Sequence, residues 1–450
     1  MKWKEIIMER HNQSGYRNRL LSIIKEFEGK TFEREELIRL IIVAIFCKQH
    51  IFLFGRPGVG KTYIARLATM MFGSDAYWEL LMAHDTTTEQ LMGSLKKDEH
   101  GKVRRDLSDS MLDKPFVFLD EMFKGSNKVL NALLGPMLDR RYTEGGYTVD
   151  VPLITLFGAS NEFPEGEDIK PFEDRLMFRY DVQRIQYKEN KIRFNNGDFD
   201  QSDKFHTKFK LDEIDYVEEH AKNIIFPEYM LENYIAIQEA IIKDRIMISD
   251  RKFGPNQAVK VFRTSAYLNG RKEIDFSDLM LLSHIAWHSL TDKKKLTEVL
   301  TYSFFGNTVS IDKSQSDVEE KHIRTIGYIE SECMKIIRYE KEYLGQSSSI
   351  DFMDDVRLIG SYCEQLENIL KDAKEIEDKK IMALRIEEQS LKNIFLHGVK
   401  QPTFTPELIA RISHSLSGLQ GMMDMLTNWL SENQKVFNYN TNKARRTPQN

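Results

Sequence analysis

The stretch that decides the fold is Ile51-Phe-Leu-Phe-Gly55-Arg56-Pro57-Gly58-Val59-Gly60-Lys61-Thr62. A short, wholly apolar run that stops at a glycine reads as a buried strand. From Gly55 to Thr62 the residues fit G-x-x-x-x-G-K-[ST] in full, and a helix is expected to open at Lys61. The glycines let the backbone wind so that several N–H groups point at one anion. The helix that follows adds its positive N-terminal end. An ammonium at Lys61 suits the β- and γ-phosphates, and a hydroxyl at Thr62 suits Mg²⁺. A turn that merely joined strand to helix would need neither side chain. Gly55 through Tyr63 are therefore the candidate nucleotide-binding residues.

Downstream, Phe116-Val-Phe-Leu119 ends at Asp120-Glu121, and Leu153-Ile-Thr-Leu-Phe157 ends near Ser160-Asn161. Apolar strands with helical patterns between them indicate an α/β fold whose parallel sheet is covered on both faces. In such a sheet a carboxylate at a strand's carboxyl end lies beside the phosphate loop. Asp120 is the candidate to hold Mg²⁺ through water. Glu121 is the candidate to orient and polarise the attacking water. Asn161, a neutral amide, could bond that water or the γ-phosphate without competing for the metal, or could simply end its strand in a turn. Arg175, in Glu173-Asp-Arg-Leu, could donate to phosphoryl oxygens in the transition state, or pair with Asp174 at a solvated helix end. Arg251, in Ser249-Asp-Arg, could reach the nucleotide or cover its own helix.

Upstream, Arg17 to Phe27 reads as a helix. So does Glu33 to Lys48, with Leu37, Ile41, Ala44 and Ile45 on one face. From about residue 205 the pattern is helical. Pro227 and Pro255 suit helix starts, and Asp275 to Leu290 forms a helix capped by Asp275 with Asp278 three residues on. Residues 306–316 read as a polar linker. Long helices follow at Asp317 to Leu344, through a seam of Phe352, Val356, Ile359, Cys363, Leu366, Leu370 and Ala373, and from Pro406 onward. The tail from Asn438 reads as disordered.

The chain has 450 residues, with 64 Lys plus Arg against 69 Asp plus Glu, a formal charge of −5. That mild acidity argues against a nucleic-acid coat or a polybasic membrane binder. Cys47, Cys333 and Cys363 make no disulfide framework and match no zinc spacing. The longest apolar run, Leu40 to Cys47, is far short of a bilayer span, and the N-terminus lacks a signal core. A soluble chain in the reducing cytoplasm is expected.

These residues in this order resemble an AAA+ ATPase, more narrowly the MoxR family on the branch of the RavA chaperone-like ATPases. The likeness covers about residues 15–290. It takes in Thr86-Thr-Thr-Glu-Gln-Leu-Met-Gly93, Phe118-Leu-Asp-Glu-Met-Phe-Lys124 and Gly158-Ala-Ser-Asn-Glu-Phe-Pro164. Asp174-Arg-Leu-Met-Phe-Arg179 and Ile248-Ser-Asp-Arg251 follow, and Asp278-Leu-Met-Leu-Leu282 with Ala286-Trp-His288 completes it. The resemblance implies an α/β ATPase core over 1–200 and a helical lid over 205–305; the linker, the long-helix bundle over 317–437 and the tail over 438–450 lie beyond it and are read from the residues alone. It implies that Gly55 to Thr62 is Walker A, Phe116 to Glu121 Walker B, and Asn161 sensor 1. Arg175 is implied to be an arginine finger acting on a neighbouring subunit, and Arg251 sensor 2. Two hairpin insertions are implied: Leu95 to Asp106, turning at His100-Gly101, and Tyr142 to Val151, turning at Glu144-Gly145-Gly146.

The resemblance also implies a six-membered homo-oligomeric ring that uses ATP and Mg²⁺ to remodel or assemble a protein client, with a von Willebrand A-domain protein as partner. No guanine-specifying pattern follows Walker B, which favours ATP over GTP. A nucleic-acid motor or defence-system ATPase subunit is the competing reading, supported by Lys96, Lys97, Lys102, Arg104 and Arg105 but not by the net charge. A coiled-coil scaffold that binds nucleotide without turnover would not need Glu121, Asn161 and Arg175.

Overall fold

A computed structural model describes residues 2–97, 103–144, 147–163, 166, 169–246 and 248–305, with parts of 361–396 and of 420–431. The expected linker, the helix from Asp317, the seam residues Phe352 to Ala373, the opening of the helix at Pro406, Cys333 and the tail lie outside the described residues, as do the turns at His100-Gly101 and Gly145-Gly146. The described residues within 361–392 and 420–431 are helical, as the sequence predicts. The chain divides into two compact units, one of residues 1–303 with 389–399 and one of 304–388 with 400–450.

The first unit opens with helices α1 (Lys2–Lys30) and α2 (Glu35–Phe46), then strand β1 (His50–Phe54) and helix α3 (Lys61–Thr69). Strand β2 (Tyr77–Leu81), helix α4 (Thr88–Met92) and the hairpin β3 (Leu95–Lys97) and β4 (Val103–Arg105) follow. Next come β5 (Phe116–Asp120), helices α5 (Asn127–Ala132) and α6 (Leu134–Asp139), and a second hairpin, β6 (Arg141–Glu144) and β7 (Tyr147–Asp150). Strand β8 (Thr155–Ser160), helix α7 (Lys170–Glu173), strand β9 (Leu176–Asp181) and helix α8 (Lys188–Asn196) end the α/β part. Helices α9 (Leu211–Ala221), α10 (Glu228–Lys243), α11 (Asp250–Phe253), α12 (Ala258–Leu268), α13 (Phe276–Leu279) and α14 (Leu290–Phe305) form the helical block.

The five-stranded sheet has the order β2-β5-β8-β1-β9, and every pairing in it is parallel. All strands therefore end at one edge, where ligands of open α/β sheets bind. Parallel strands are buried on both faces, which is why β1 and β5 could be read as unbroken apolar runs. β8 separates β1 from β5, so its carboxyl end lies between the Gly55 loop and Asp120. Phe54 pairs with Ser160, and Gly55 donates its N–H to the Ser160 carbonyl at 3.1 Å. Helix α2 buries Leu37, Ile38, Leu40, Ile41 and its whole second half, including Cys47 just beyond it.

The structure departs from the sequence reading at named places. Two strands of the sheet, β2 and β9, carry no clean apolar run and were not expected. The third expected strand starts at Thr155 rather than Leu153 and extends to Ser160. The helix predicted from Glu33 begins at Glu35, because Glu33 takes φ +56° and its carboxylate accepts from the Gln186 and Tyr187 N–H groups at 2.6 and 2.9 Å. Pro255 lies in the turn between α11 and α12, not at a helix start. Asp275 to Leu290 is not one helix. Asp275 does cap α13, accepting from Ser277 N–H while Asp278 accepts from Asp275 N–H, but a 3-10 turn over Met280–His284 follows and α14 begins anew at Leu290.

Residues 389–396 pack on the helical block. Asn393 is buried and donates to the Ser277 hydroxyl at 2.9 Å, while its carbonyl accepts from Asn269 at 3.0 Å. Arg39 on α2 donates to the Ile394 carbonyl at 2.6 Å, and Ile394 and Phe395 are buried.

Candidate nucleotide site

The Gly55 loop joins β1 to α3 at the carboxyl edge of the sheet. Gly58 and Gly60 take φ +78° and +88°, and Gly60 caps α3 in the left-handed region. A Cβ on Gly55 would stand 2.6 Å from the Val182 carbonyl oxygen, so only glycine lets the loop leave β1 here. Arg34 fixes the loop from behind, donating to the Val59 carbonyl at 3.1 Å and the Gln183 carbonyl at 2.7 Å. Arg56, Pro57 and Gly58 are exposed at the crest.

Lys61 is buried and donates back to the loop itself, to the Gly55 carbonyl at 2.6 Å and the Arg56 carbonyl at 3.3 Å. Burial lowers its pKa, and the negative charges of Asp120 and Glu121 oppose that shift. Both carboxylates therefore stand within electrostatic reach of the ammonium. Thr62 donates its hydroxyl to Asp120 Oδ2 at 3.2 Å across the two elements. A hydroxyl and a carboxylate set together at the end of a buried strand are the hard oxygen donors that Mg²⁺ takes.

Asp120 Oδ1 accepts from the Glu121 N–H at 3.0 Å, and Glu121 takes φ +48°, a left-handed conformation that costs a non-glycine residue about 1–3 kcal/mol. The turn is held by Met122, which is fully buried against β8. A Cβ on Gly158 would come within 2.1 Å of the Met122 sulfur, so glycine at that strand position lets the Asp120-Glu121 turn close onto the sheet. Glu121 Oε2 is buried without a hydrogen-bond partner, and the Lys124 ammonium lies 3.5 Å from it. Asn161 Oδ1, at the end of β8, is likewise buried and unpartnered. A buried acceptor left unbonded costs about 1–3 kcal/mol, and such groups gather where a ligand or water supplies the missing bond.

Beside the loop lies a cleft of about 740 Å³ walled by Phe32, Tyr63, Ile185, Phe194 and Phe199. Phe194 and Phe199 stack at 5.9 Å with planes 15° apart, and Phe32 meets Phe199 edge-on at 5.4 Å. Apart from Tyr63, this wall was not anticipated. Phe32 sits in an interhelical turn and Phe194 on α8, a helix with no buried residue, so no apolar periodicity marks either.

Arg175 and Arg251 do not line this cleft. They line a second one, of about 660 Å³, between α6, the turn after α7, and helices α9, α11 and α12. Asp174 pairs with Arg251, not with Arg175: its Oδ2 lies 3.0 Å from Arg251 Nε, and its backbone carbonyl accepts from Arg251 Nη2 at 3.4 Å. Ser249 donates its hydroxyl to the other carboxylate oxygen of Asp174. Arg175 donates to the Pro171 carbonyl, and its Nε is buried without a partner. Burial lowers its pKa, and the Arg251 charge adds to that. Beneath this pair, Lys252 is completely buried and donates to the Leu176 carbonyl at 3.2 Å. Burial, reinforced by the neighbouring Arg179, brings its pKa down to about 7. Arg179, also completely buried, pairs with Glu173 at 3.3 Å and donates to His288 Nδ1 at 3.2 Å.

Both expected hairpins are present as β3–β4 and β6–β7. Their basic residues are partly committed. Arg105 is buried and holds Glu144 of the other hairpin through two hydrogen bonds, at 2.5 and 2.8 Å, and Lys96 pairs with Asp106.

Residues 18–218 match the model of the MoxR domain found in MoxR-vWA-beta-propeller ternary systems, and residues 229–300 match an AAA lid domain. The uncharacterized protein MJ0812 of Methanocaldococcus jannaschii is 30% identical over 75% of this chain and 91% of its own length. The chain belongs to the MoxR family of AAA+ ATPases. Another relative is Chaperone MoxR1 of Mycobacterium tuberculosis, 26% identical over 33% of this chain and 40% of that protein. A solved structure from Cytophaga hutchinsonii, of a protein assigned as an ATPase, superposes with a TM-score of 0.54 over 67% of this chain and 97% of its own, at 17% identity. That likeness carries the AAA+ fold: parallel-sheet core followed by helical lid. Among the described residues of this MoxR-family chain, no helix is long and apolar enough to cross a membrane.

Proposed function

We propose that this MoxR-family chain assembles into a ring, binds ATP with Mg²⁺ on the Gly55–Thr62 loop, and hydrolyses it at a site completed by the adjoining subunit. The observation that carries the reading is the Thr62–Asp120 contact beneath a glycine-wound loop whose lysine is held back on the loop's own carbonyls. These residues fit a magnesium-bound triphosphate. The loop has no side chain on its glycines to fill the cradle, and the hydroxyl–carboxylate pair supplies hard donors. Thr62 and Asp120 would hold Mg²⁺, which would supply positive charge to offset that developing on the phosphates.

The chain's own residues do the rest. Lys61 swings from its carbonyls to the β- and γ-phosphates. Glu121, whose free oxygen has no bonding partner, takes the proton-accepting side of the attacking water. Asn161 donates or accepts beside it and fixes the water's direction. The aromatic cleft of Phe32, Tyr63, Phe194 and Phe199 takes the base and ribose, which favours a planar purine.

Arg175 and Arg251 act on the nucleotide of the adjoining subunit. Their cleft is separate from the loop's cleft within one chain, so neither completes its own site. Each guanidinium can donate to the oxygens of a transferring phosphoryl group, the role of an arginine finger. The work of hydrolysis is the remodelling or assembly of a protein client, on the pattern of RavA-like chaperone ATPases. The matched domain's description favours a von Willebrand A-domain protein as partner.

The test is nucleotide binding by calorimetry. Lys61→Ala is expected to weaken ATP affinity at least tenfold and to abolish turnover; affinity within a few fold of wild type would remove the phosphate-loop assignment.

A further inference from the structure

The cleft that holds Arg175 and Arg251 is strongly basic in a chain whose formal charge is −5. Most of its cations are already committed. Lys48 lies 2.5 Å from both Asp215 and Glu218, and Lys260 lies 2.5 Å from the same Glu218. Lys222 pairs with Glu219 at 2.7 Å. Arg140 donates to the Lys48 carbonyl at 2.8 Å and the Ile154 carbonyl at 3.2 Å. Arg263 differs from all of these. It is half-buried, lines the cleft, and has no hydrogen-bond or ion-pair partner among the described residues.

Its placement follows from the helix it stands on. α12 buries Val261, Phe262, Thr264 and Ser265 against the core, which turns Lys260 and Arg263, three residues apart, onto the cleft side together. Lys260 is spent on Glu218. Arg263 Nε is buried and unbonded, a property it shares in this cleft with Arg175 Nε and Arg251 Nε. Arg251 Nε has only the Asp174 carboxylate, close but out of hydrogen-bonding line. Three guanidiniums with free donors on one cleft are suited to an anion with several oxygens, because the planar fork donates two bonds at once to phosphate.

We propose that Arg263 is a third trans-acting cation, which with Arg175 and Arg251 contacts the phosphates of ATP held on the Gly55–Thr62 loop of an adjoining copy. The inference rests on the shared-site reading above and extends it to a residue of the helical block, Arg263, to which the sequence motifs assign no role. Electrostatics supply the need. On the loop side Lys61 stands within reach of both Asp120 and Glu121, so that side brings carboxylates as well as a cation to a triphosphate. Cations from the facing copy offset that charge.

The experiment uses the full chain and reads ATP turnover, ATP affinity and assembly for Arg263→Ala, with Arg175→Ala alongside. Arg263→Ala is expected to lower turnover about 10²-fold, as loss of one preorganised donor does. ATP affinity and the assembly profile are expected to stay within a few fold of wild type. Mixing it with Lys61→Ala subunits is expected to restore part of the turnover, since the intact Arg263 of one then faces the intact loop of the other. Turnover within twofold of wild type overturns the assignment. So does a mixture that fails to recover where the Arg175→Ala and Lys61→Ala mixture does. If Arg175→Ala itself leaves turnover unchanged, the shared-site reading fails, and that outcome is distinct from an inert Arg263. Should Arg263→Ala not assemble, Arg263→Lys and Arg263→Gln keep the stem: Lys is expected to retain more turnover than Gln, and equal turnover counts against a role for the charge.

Discussion

Asp174 Oδ2 lies 3.0 Å from Arg251 Nε, which ties the turn after α7 to the first helix residue pair of α11. Arg175 is the next residue in that turn, so the contact that docks the helical block on the sheet also fixes the base of the arginine expected to act in trans. A movement of the helical block would therefore move Arg175 and Arg251 as one. The Arg179–Glu173 pair and Lys252 lie directly under the same turn and stiffen it.

Glu121→Gln is expected to keep ATP binding and to lower turnover by 10²-fold or more, the usual scale for loss of a general base. The substitution keeps the shape and the left-handed turn at φ +48° while removing the charge. Single-turnover measurement with labelled ATP reads it; undiminished turnover would move the base elsewhere, with Asp120 the first candidate.

Lys252 gives a pH signature. Its pKa in the folded chain is about 7, below the ordinary lysine value of 10.5. Between those two values the unfolded chain binds the proton that the folded chain has released, so stability rises with pH across that window. Below about pH 7 both states are protonated and the burial penalty is at its full size. The difference in unfolding free energy between wild type and Lys252→Met is expected to move in favour of wild type by about 1.4 kcal/mol per pH unit from 7 upward. Denaturant titrations at pH 6.5, 8 and 9.5 check it; a pH-independent difference would mean the lysine is not desolvated.

Asn393→Leu is expected to destabilise the first unit by about 2–3 kcal/mol, because it leaves Ser277 and the Asn269 amide without their buried partner. Denaturant unfolding of the full chain reads the loss. A change under about 0.5 kcal/mol would show that residues 389–396 are not held by this contact.

Much of the geometry of this candidate site could be read from residues alone, and the reason is physical. β1 and β5 are buried on both faces, so their apolar runs stand out, and the loop between β1 and α3 carries the glycine, lysine and threonine pattern that a phosphate cradle would need. β9 hid because Leu176-Met-Phe-Arg-Tyr-Asp181 carries a charge at its centre. Arg179 is tolerated there only because Glu173 and His288 meet it in the fold. β2 hid because it is an edge strand, half exposed along its length. The 275–290 segment misled because its apolar residues suit a helix, while the fold needs a tight 3-10 turn to bury Leu281, Leu282 and Trp287 at once. The separation of Arg175 and Arg251 from the loop could not be read either, since spacing along the chain says nothing of which side of the helical block faces which cleft.

The most direct test of the central claim, a hydrolytic site shared between two copies of the chain, is a subunit-mixing assay. Arg175→Ala and Lys61→Ala are each expected to be inactive alone. Mixed in equal amounts, they are expected to recover part of the wild-type turnover, because one supplies the intact loop and the other the intact arginine. Assembled mixtures that remain as inactive as either parent would contradict a site completed by a neighbour.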